Sequence, residues 1–426
     1  MNDTLPERFA ARMGQLLGPD FPTVIALAVS GGGDSMAMLA LAHEWARVFG
    51  VRLWVVTVDH GLRADGAAEA EMVAAECAEL GHAHATLRWS WDGQGNLQDA
   101  ARRARLDLMD AWRGEITHVL MAHTRDDVAE TFLMRLARGS GVEGLSAMEE
   151  LRTIQGTRGA FKVVRPLLQE ARSDLRHHIN TLQVPYVDDP SNSDMRFDRV
   201  KARQALATLG IDADTLATTA SRMSRASKAL WRRAADAGRA CVREDTWAGM
   251  PTGDLLIDRD PFTAVERDTQ LRLVAAALQW VSSAVYRPRA RALEDVLDRA
   301  MSGGGSTLHG ARLLVGAKHI RVCREYAAIR HLSVSLGDDA VIWDGRWRVS
   351  TDQKTRALTL RALGSDGWQQ AEQKPENPPP HDAAICLPAL FDGERLVDWY
   401  PAERHPGCQV QLSPPAGQFI TFLESR

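Results

Sequence analysis

Thr23-Val24-Ile25-Ala26-Leu27-Ala28-Val29 runs directly into Ser30-Gly31-Gly32-Gly33-Asp34-Ser35, and this junction decides the fold. The run before the glycines is short, apolar and rich in branched side chains, as a strand buried on both faces requires. Behind them, Met36-Ala37-Met38-Leu39-Ala40-Leu41-Ala42 consists of strong helix formers. Strand, glycine loop and helix in that order aim backbone N–H groups and the positive end of a helix at an anion. Glycines let the backbone approach the anion and take conformations closed to other residues. Two better-known phosphate loops do not fit. The Gly-Lys-Ser/Thr ending is missing, and the glycine spacing is wrong for a dinucleotide fingerprint. The simpler alternative is a plain glycine turn joining a strand to a helix.

Asp34 sharpens the reading. A carboxylate beside bound phosphates repels them unless a metal ion bridges the two or the acid has a chemical task. With Asp34 included, the loop resembles the SGGxDS loop of the N-type ATP pyrophosphatases. That resemblance implies cleavage of ATP between its α- and β-phosphates, with the AMP half used to activate a carbonyl oxygen.

Composition narrows the class. With 426 residues the chain has material for two or three domains, and 45% hydrophobic with 25% charged residues is ordinary for a globular protein. No apolar run approaches the ~20 residues that cross a bilayer, and the acid-bearing N-terminus lacks a signal-peptide core. No membrane partner is expected. Cys77, Cys241, Cys323, Cys386 and Cys408 are scattered, odd in number and never in a C-x-x-C pair. That argues against a disulfide scaffold and against a zinc or iron–sulfur site, and points to the cytoplasm. The formal charge of −4 gives no overall basic footprint. Net charge does not locate charges, so a basic face is compatible with it.

A second apolar strand, 51–58, ends in Asp59-His60-Gly61-Leu62-Arg63. Ligands of open α/β sheets gather outside the carboxyl ends of the strands, which puts Asp59 and His60 beside the first loop. The alternative for Asp59 is a capping role in a solvated turn. Further βα units follow, including a helix over 96–112 that carries Arg102, Arg103 and Arg105, and a buried strand 118–122 that ends at His123. Their repetition implies a parallel, doubly wound sheet. Next, Asp127 and Glu130 are three apart, and Asp126 and Glu130 four apart, so on a helix either pair shares a face. Two acids near a phosphate site suit a metal or an ammonium group; acids also enrich ordinary helix N-termini. Arg138-Gly139-Ser140-Gly141-Val142-Glu143-Gly144-Leu145, Arg165-Pro166-Leu167-Leu168 and Asp188-Asp189-Pro190-Ser191-Asn192-Ser193-Asp194 follow, leading to Phe197-Asp198-Arg199-Val200-Lys201-Ala202-Arg203.

Taken in order over about residues 24–203, these motifs resemble those of the tRNA(Ile)-lysidine synthetases. The pattern departs at Leu106, where an aromatic residue is usual, and at Val200, where an asparagine is usual. The resemblance implies a catalytic domain over 1–210 with an adenine nucleotide α-hydrolase-like fold. The implied reaction joins free L-lysine to carbon 2 of the wobble cytidine of CAU-anticodon isoleucine tRNA through an adenylated base, with ATP and Mg2+. It also implies roles. Ser30, Gly31, Gly32, Gly33, Asp34 and Ser35, with Asp59 and His60, would hold ATP. Asp34 would be a metal ligand or the base that deprotonates the incoming ammonium. His123, Asp127 and Glu130 would hold lysine. Arg105, Arg165, Arg199 and Arg203 would contact phosphate or the flipped base, with Arg105 and Arg203 catalytic. A thiolase of the same superfamily would need cysteines to carry sulfur. A GMP- or NAD-making synthetase would share only the first loop, and an ATP-binding sensor would not require the acid pair.

Residues 211–330 read as mostly helical. Arg222, Arg225, Lys228 and Arg232 fall on one helical face, a candidate tRNA phosphate contact or an ordinary solvated stripe. Gly303-Gly304-Gly305 lacks a buried strand before it and reads as a turn. From about 331 to 426 short strands, among them 340–343 and 355–363, suggest a smaller β-rich C-terminal domain. The 211–426 portion is expected to choose among tRNAs.

Overall fold

The computed structural model describes residues 3–61, 65–91, 93, 97–188, 194–337, 339–351, 358–372, 374, 376–401 and 408–426. Leu62, Arg63 and the stretch Asp189 to Ser193, singled out above, lie outside them, as do Asn96 and the start of the strand expected from 355. The chain divides into two compact units, Met1–Ser227 and Lys228–Arg426. The sequence had suggested boundaries near 210 and 330.

The first unit begins with α1 (Leu5–Leu17), β1 (Val24–Ala28), α2 (Gly33–Phe49), β2 (Arg52–Asp59), α3 (Gly66–Leu80) and β3 (Ala83–Arg88). It continues with α4 (Leu97–Trp112), β4 (His118–Met121), α5 (Arg125–Ala137), β5 (Leu151–Gly156), β6 (Gly159–Val164), α6 (Arg172–Leu182) and α7 (Asp198–Leu209). Helix α8 (Ala213–Cys241) follows, and the division between the units falls within it. The sheet has the order β3-β2-β1-β4-β6-β5, parallel except for the edge strand β5, which forms a hairpin with β6. Alternation along β1 explains why both faces must be covered. Ile25 and Leu27 pack with α1, α2, α3 and α6, while Ala26 packs with Met109 of α4 on the other side. From β1 the chain moves outward to β2 and β3, then crosses back to β4 on the opposite side. The carboxyl ends of β1 and β4 therefore flank a switch point, where open α/β sheets bind ligands.

The second unit contains β7 (Val242–Trp247), β8 (Met250–Asp258), α9 (Arg259–Thr263), α10 (Arg267–Ser282), α11 (Ala290–Met301), β9 (Ser306–Leu308), β10 (Ala311–Val315) and β11 (His319–Arg324). These strands form an antiparallel sheet of order β7-β8-β11-β10-β9. Helices still take up most of 211–330, as expected, but the β7–β8 hairpin falls in a stretch read as helical. The β7–β8 hairpin turns on Ala248 (φ 51°) and Gly249 (φ 78°), a pair with less turn signal than Asn-Gly, and Pro251 and Gly253 weaken the strand pattern of β8. Gly303-Gly304-Gly305 follows α11 as a turn, with Gly304 N donating to Arg299 O at 2.8 Å. The unit ends with α12 (Tyr326–Ile329), β12 (Ser333–Ser335), β13 (Val341–Trp343), β14 (Trp347–Thr351), β15 (Thr359–Ala362), α13 (Gly364–Gln370), α14 (His381–Ala384), β16 (Pro388–Asp392), β17 (Arg395–Trp399), β18 (Cys408–Leu412) and α15 (Phe419–Glu424). Among the described residues its strands form two further sheets, β12-β15-β16-β17 and β13-β14-β18.

A buried ionic knot holds the antiparallel sheet. Arg321 Nη1 lies 2.7 Å from both Asp245 Oδ2 and Asp254 Oδ2. Burial pushes the Asp254 carboxyl up to about 6, against the pull of Arg321. Removing the cation leaves two buried carboxylates uncompensated. Arg321→Leu is therefore expected to destabilise the second unit by about 3–5 kcal/mol at pH 8. The loss should be smaller at pH 5, where the raised Asp254 carboxyl takes up a proton. Urea unfolding at the two pH values checks this, and equal losses would contradict it.

Candidate active site

The glycine loop is shaped by its own hydroxyls. Gly31 has φ +84°, and a Cβ there would come within 3.3 Å of Met72. Gly32 caps α2 in extended conformation, directing the helix N-terminus into the crevice. Ser35 Oγ donates to Gly32 O at 2.8 Å and accepts from Ser30 N at 3.1 Å. Ser35 is thus buried and spent on the loop, whereas Ser30 is exposed. A Cβ on Gly33 would lie 2.4 Å from the Arg176 guanidinium, which is also paired with Asp188 at 2.8 Å and stacked on Tyr186. Arg176 adds positive charge beside the loop.

At the end of β2, Asp59 Oδ1 accepts from Gly61 N at 2.9 Å, a turn-forming contact. His60 packs edge-on against Trp89 and keeps a buried Nδ1 with no partner among the described residues. Burial and then Arg105 push the His60 pKa down.

The acids at the switch point are already charge-matched from within the chain. Thr124 opens α5 with a capping box, its N and Oγ1 donating to Asp127 Oδ2 at 2.8 and 3.0 Å. The other oxygen, Oδ1, faces Arg172 Nη2 at 3.2 Å and Arg199 Nη1 at 3.9 Å. Burial alone would raise the Asp127 pKa, but Arg172 and Arg199 turn the net shift downward. Glu130 is 2% exposed, and its Oε1 accepts from Arg172 Nη1 at 3.1 Å and Arg203 Nε at 2.9 Å. Asp34 Oδ2 accepts from Arg172 Nε at 3.0 Å. Burial pushes Asp34 up, opposed by the same arginine. Of the carboxylate oxygens at this switch point, Asp34 Oδ1 and Glu130 Oε2 are buried without a hydrogen-bond partner among the described residues. An unpaired buried acceptor is costly, so such atoms mark where a ligand donor or cation belongs.

Arg199 and Arg203, four apart on α7, thus face the acid pair. Arg165 is buried, donates to Glu149 O at 2.6 Å and is pushed down to about 10 by burial, so it is not presented as a surface contact. Arg105 is exposed on α4. Arg222, Arg225, Lys228 and Arg232 are all exposed on α8. Arg172 escaped the sequence reading. Its signal was its position three residues before Leu175, on the buried stripe that α6 continues through Ile179.

No group of three or more metal-ligating side chains occurs among the described residues. Asp34 Oδ1 is nonetheless a hard oxygen donor of the kind that holds magnesium together with phosphates. Burial pushes up the thiols of Cys77 (to about 12), Cys241 (to about 11), Cys323 and Cys386, so none of these four is an activated thiolate.

A parallel sheet with a glycine loop and acids at its switch point defines an ATP-using domain. Residues 5–209 match the PP-loop domain family. A curated tRNA(Ile)-lysidine synthase of Ruegeria pomeroyi is 41% identical over 385 residues, 88% of this chain and 88% of that protein. One from a Bradyrhizobium species is 40% identical over 314 residues, covering 69% of this chain and 86% of the relative. The chain belongs to the tRNA(Ile)-lysidine synthase family. Among solved structures it is similar to the U34-tRNA thiolase NcsA from Methanococcus maripaludis, at 17% identity and a TM-score of 0.42 over 51% of this chain and 77% of that one, a distant likeness.

His123, at the end of β4, keeps a buried Nδ1 with no partner among the described residues. Its pKa falls from 6.5 to about 4, first through burial and then through Arg165, Arg199 and Arg105, against the pull of Asp127. It is therefore neutral at pH 7. An NMR titration of its imidazole should show a midpoint near pH 4, and one between 6 and 7 would contradict this environment.

Proposed function

We propose that this chain joins free L-lysine to carbon 2 of the wobble cytidine of CAU-anticodon isoleucine tRNA, consuming ATP and releasing AMP and pyrophosphate in the cytoplasm. The observation that carries the reading is the pair of open, buried oxygens on Asp34 and Glu130 beside the phosphate loop. An amine-bearing substrate and a nucleotide are what such a site fits.

Adenylation comes first. The oxygen on carbon 2 is a poor leaving group, and attaching AMP makes it a good one. Backbone N–H groups of Gly31 to Gly33 and the α2 N-terminus stabilise the charge that grows on pyrophosphate. Asp34 would hold magnesium together with the phosphates, and the metal would supply neutralising charge in this half. Arg176 lies against Gly33 and adds a fixed cation there. Lysine attack comes second. Glu130 Oε2 and Asp127 hold the amino groups, with neutral His123 bordering the pocket. A lysine ammonium has a reference pKa near ~10.4 and must lose a proton before it attacks. Where Asp34 does not carry the metal, its carboxyl, raised by burial, is the base that takes this proton. Arg105 and Arg203 contact the base, which must leave its stack to be reached. Arg222, Arg225, Lys228 and Arg232 contact tRNA phosphates, and the 211–426 portion selects the tRNA.

The test is incubation with ATP, labelled lysine and unmodified isoleucine tRNA. Lysine-dependent label in RNA with pyrophosphate release is expected, and unlabelled RNA would refute the reading. Asp34→Ala should lower incorporation by ~10²-fold or more. Glu130→Ala should raise the KM for lysine at least about tenfold, the effect of losing a charged contact of ~1.4 kcal/mol or more. An unchanged KM would remove Glu130 from the lysine pocket.

A further inference from the structure

Among the described residues, Arg172 is the one side chain that touches all three acids of the site. Its Nε, Nη1 and Nη2 reach Asp34, Glu130 and Asp127 at 3.0, 3.1 and 3.2 Å. Asp34 belongs to the first turn of α2 and so to the phosphate loop, while Asp127 and Glu130 belong to α5. Arg172 opens α6, and its own backbone N donates to Asp126 Oδ2 at 2.9 Å, which fixes where the side chain starts. One rigid planar fork therefore spans three helices and engages one oxygen of each acid. The oxygens it leaves over are Asp34 Oδ1 and Glu130 Oε2, which have no hydrogen-bond partner among the described residues.

We infer that Arg172 is a positioning residue that couples the nucleotide loop to the amine-binding acids, by turning the open oxygens of Asp34 and Glu130 to face their substrates. The inference rests on the lysine-ligating reading given above. Arg172 does not meet the reacting atoms. It acts by fixing the carboxylates that do, so ATP binding at the loop and lysine binding at Glu130 become linked. A lysine at 172 keeps the charge but lacks the planar fork, and could not set three carboxylate planes at once.

The experiment compares full-length wild type, Arg172→Ala and Arg172→Lys. It measures kcat and KM for lysine, and lysine binding with and without a non-hydrolysable ATP analogue. Both variants are expected to raise the lysine KM at least tenfold and to abolish the effect of the analogue on lysine affinity. A role in folding alone would lower the apparent kcat and leave KM unchanged, which would overturn the inference. An Arg172→Lys enzyme indistinguishable from wild type would also overturn it, because charge alone would then suffice. Should the alanine variant fail to fold, the lysine variant carries the comparison. Wild type that incorporates no lysine would refute the functional reading itself, whereas active wild type with insensitive variants would refute only the role of Arg172.

Discussion

Three carboxylates lie within reach of one guanidinium at the switch point of the first unit, and the site depends on how that charge is balanced. Asp34, Asp127 and Glu130 would repel one another if left together in a half-dry crevice. Arg172 binds all three, while Arg199 and Arg203 approach from α7. The match stops short of saturation. Each of Asp34 and Glu130 keeps one buried oxygen without a partner among the described residues. A site built this way is stable enough to fold and still has acceptors to offer an incoming ammonium or metal.

The sheet makes that balance possible. Parallel β1 and β4 lie side by side but belong to opposite windings, so the loops that leave them open into the same crevice. The α2 N-terminus favours negative charge, which suits both phosphates and Asp34. The α5 N-terminus is capped by Thr124 with Asp127, so one acid stabilises its helix and binds Arg172 at the same time. The fold therefore brings the glycine loop and the acids of α5 to one crevice.

Much of this was readable in the residues. Val24–Val29 with the glycines, and the three-residue step from Asp127 to Glu130, carry periodic signals that survive folding. Other parts depend on long-range packing and leave little local trace. Arg172 in Glu170-Ala171-Arg172-Ser173-Asp174 looks like any polar helix start, and only its partners on α2 and α5 give it meaning. Arg199 and Arg203 read as contacts to phosphate or the flipped base, and sequence does not reveal that α7 brings them against the acids of α5. The β7–β8 hairpin was lost in a helical reading, since its turn at Ala248 and Gly249 and the Pro251 and Gly253 of its second strand match no strong strand template.

The central claim is that the open oxygens of Asp34 and Glu130 receive lysine while Arg172 keeps their other oxygens. A crystal structure with lysine and a non-hydrolysable ATP analogue tests it most directly. The account predicts a lysine ammonium within hydrogen-bond distance of Glu130 Oε2, with Asp34 Oδ1 turned toward the substrates and Arg172 still bridging the three acids. Lysine bound away from Glu130, or an Arg172 displaced from all three carboxylates, would contradict it.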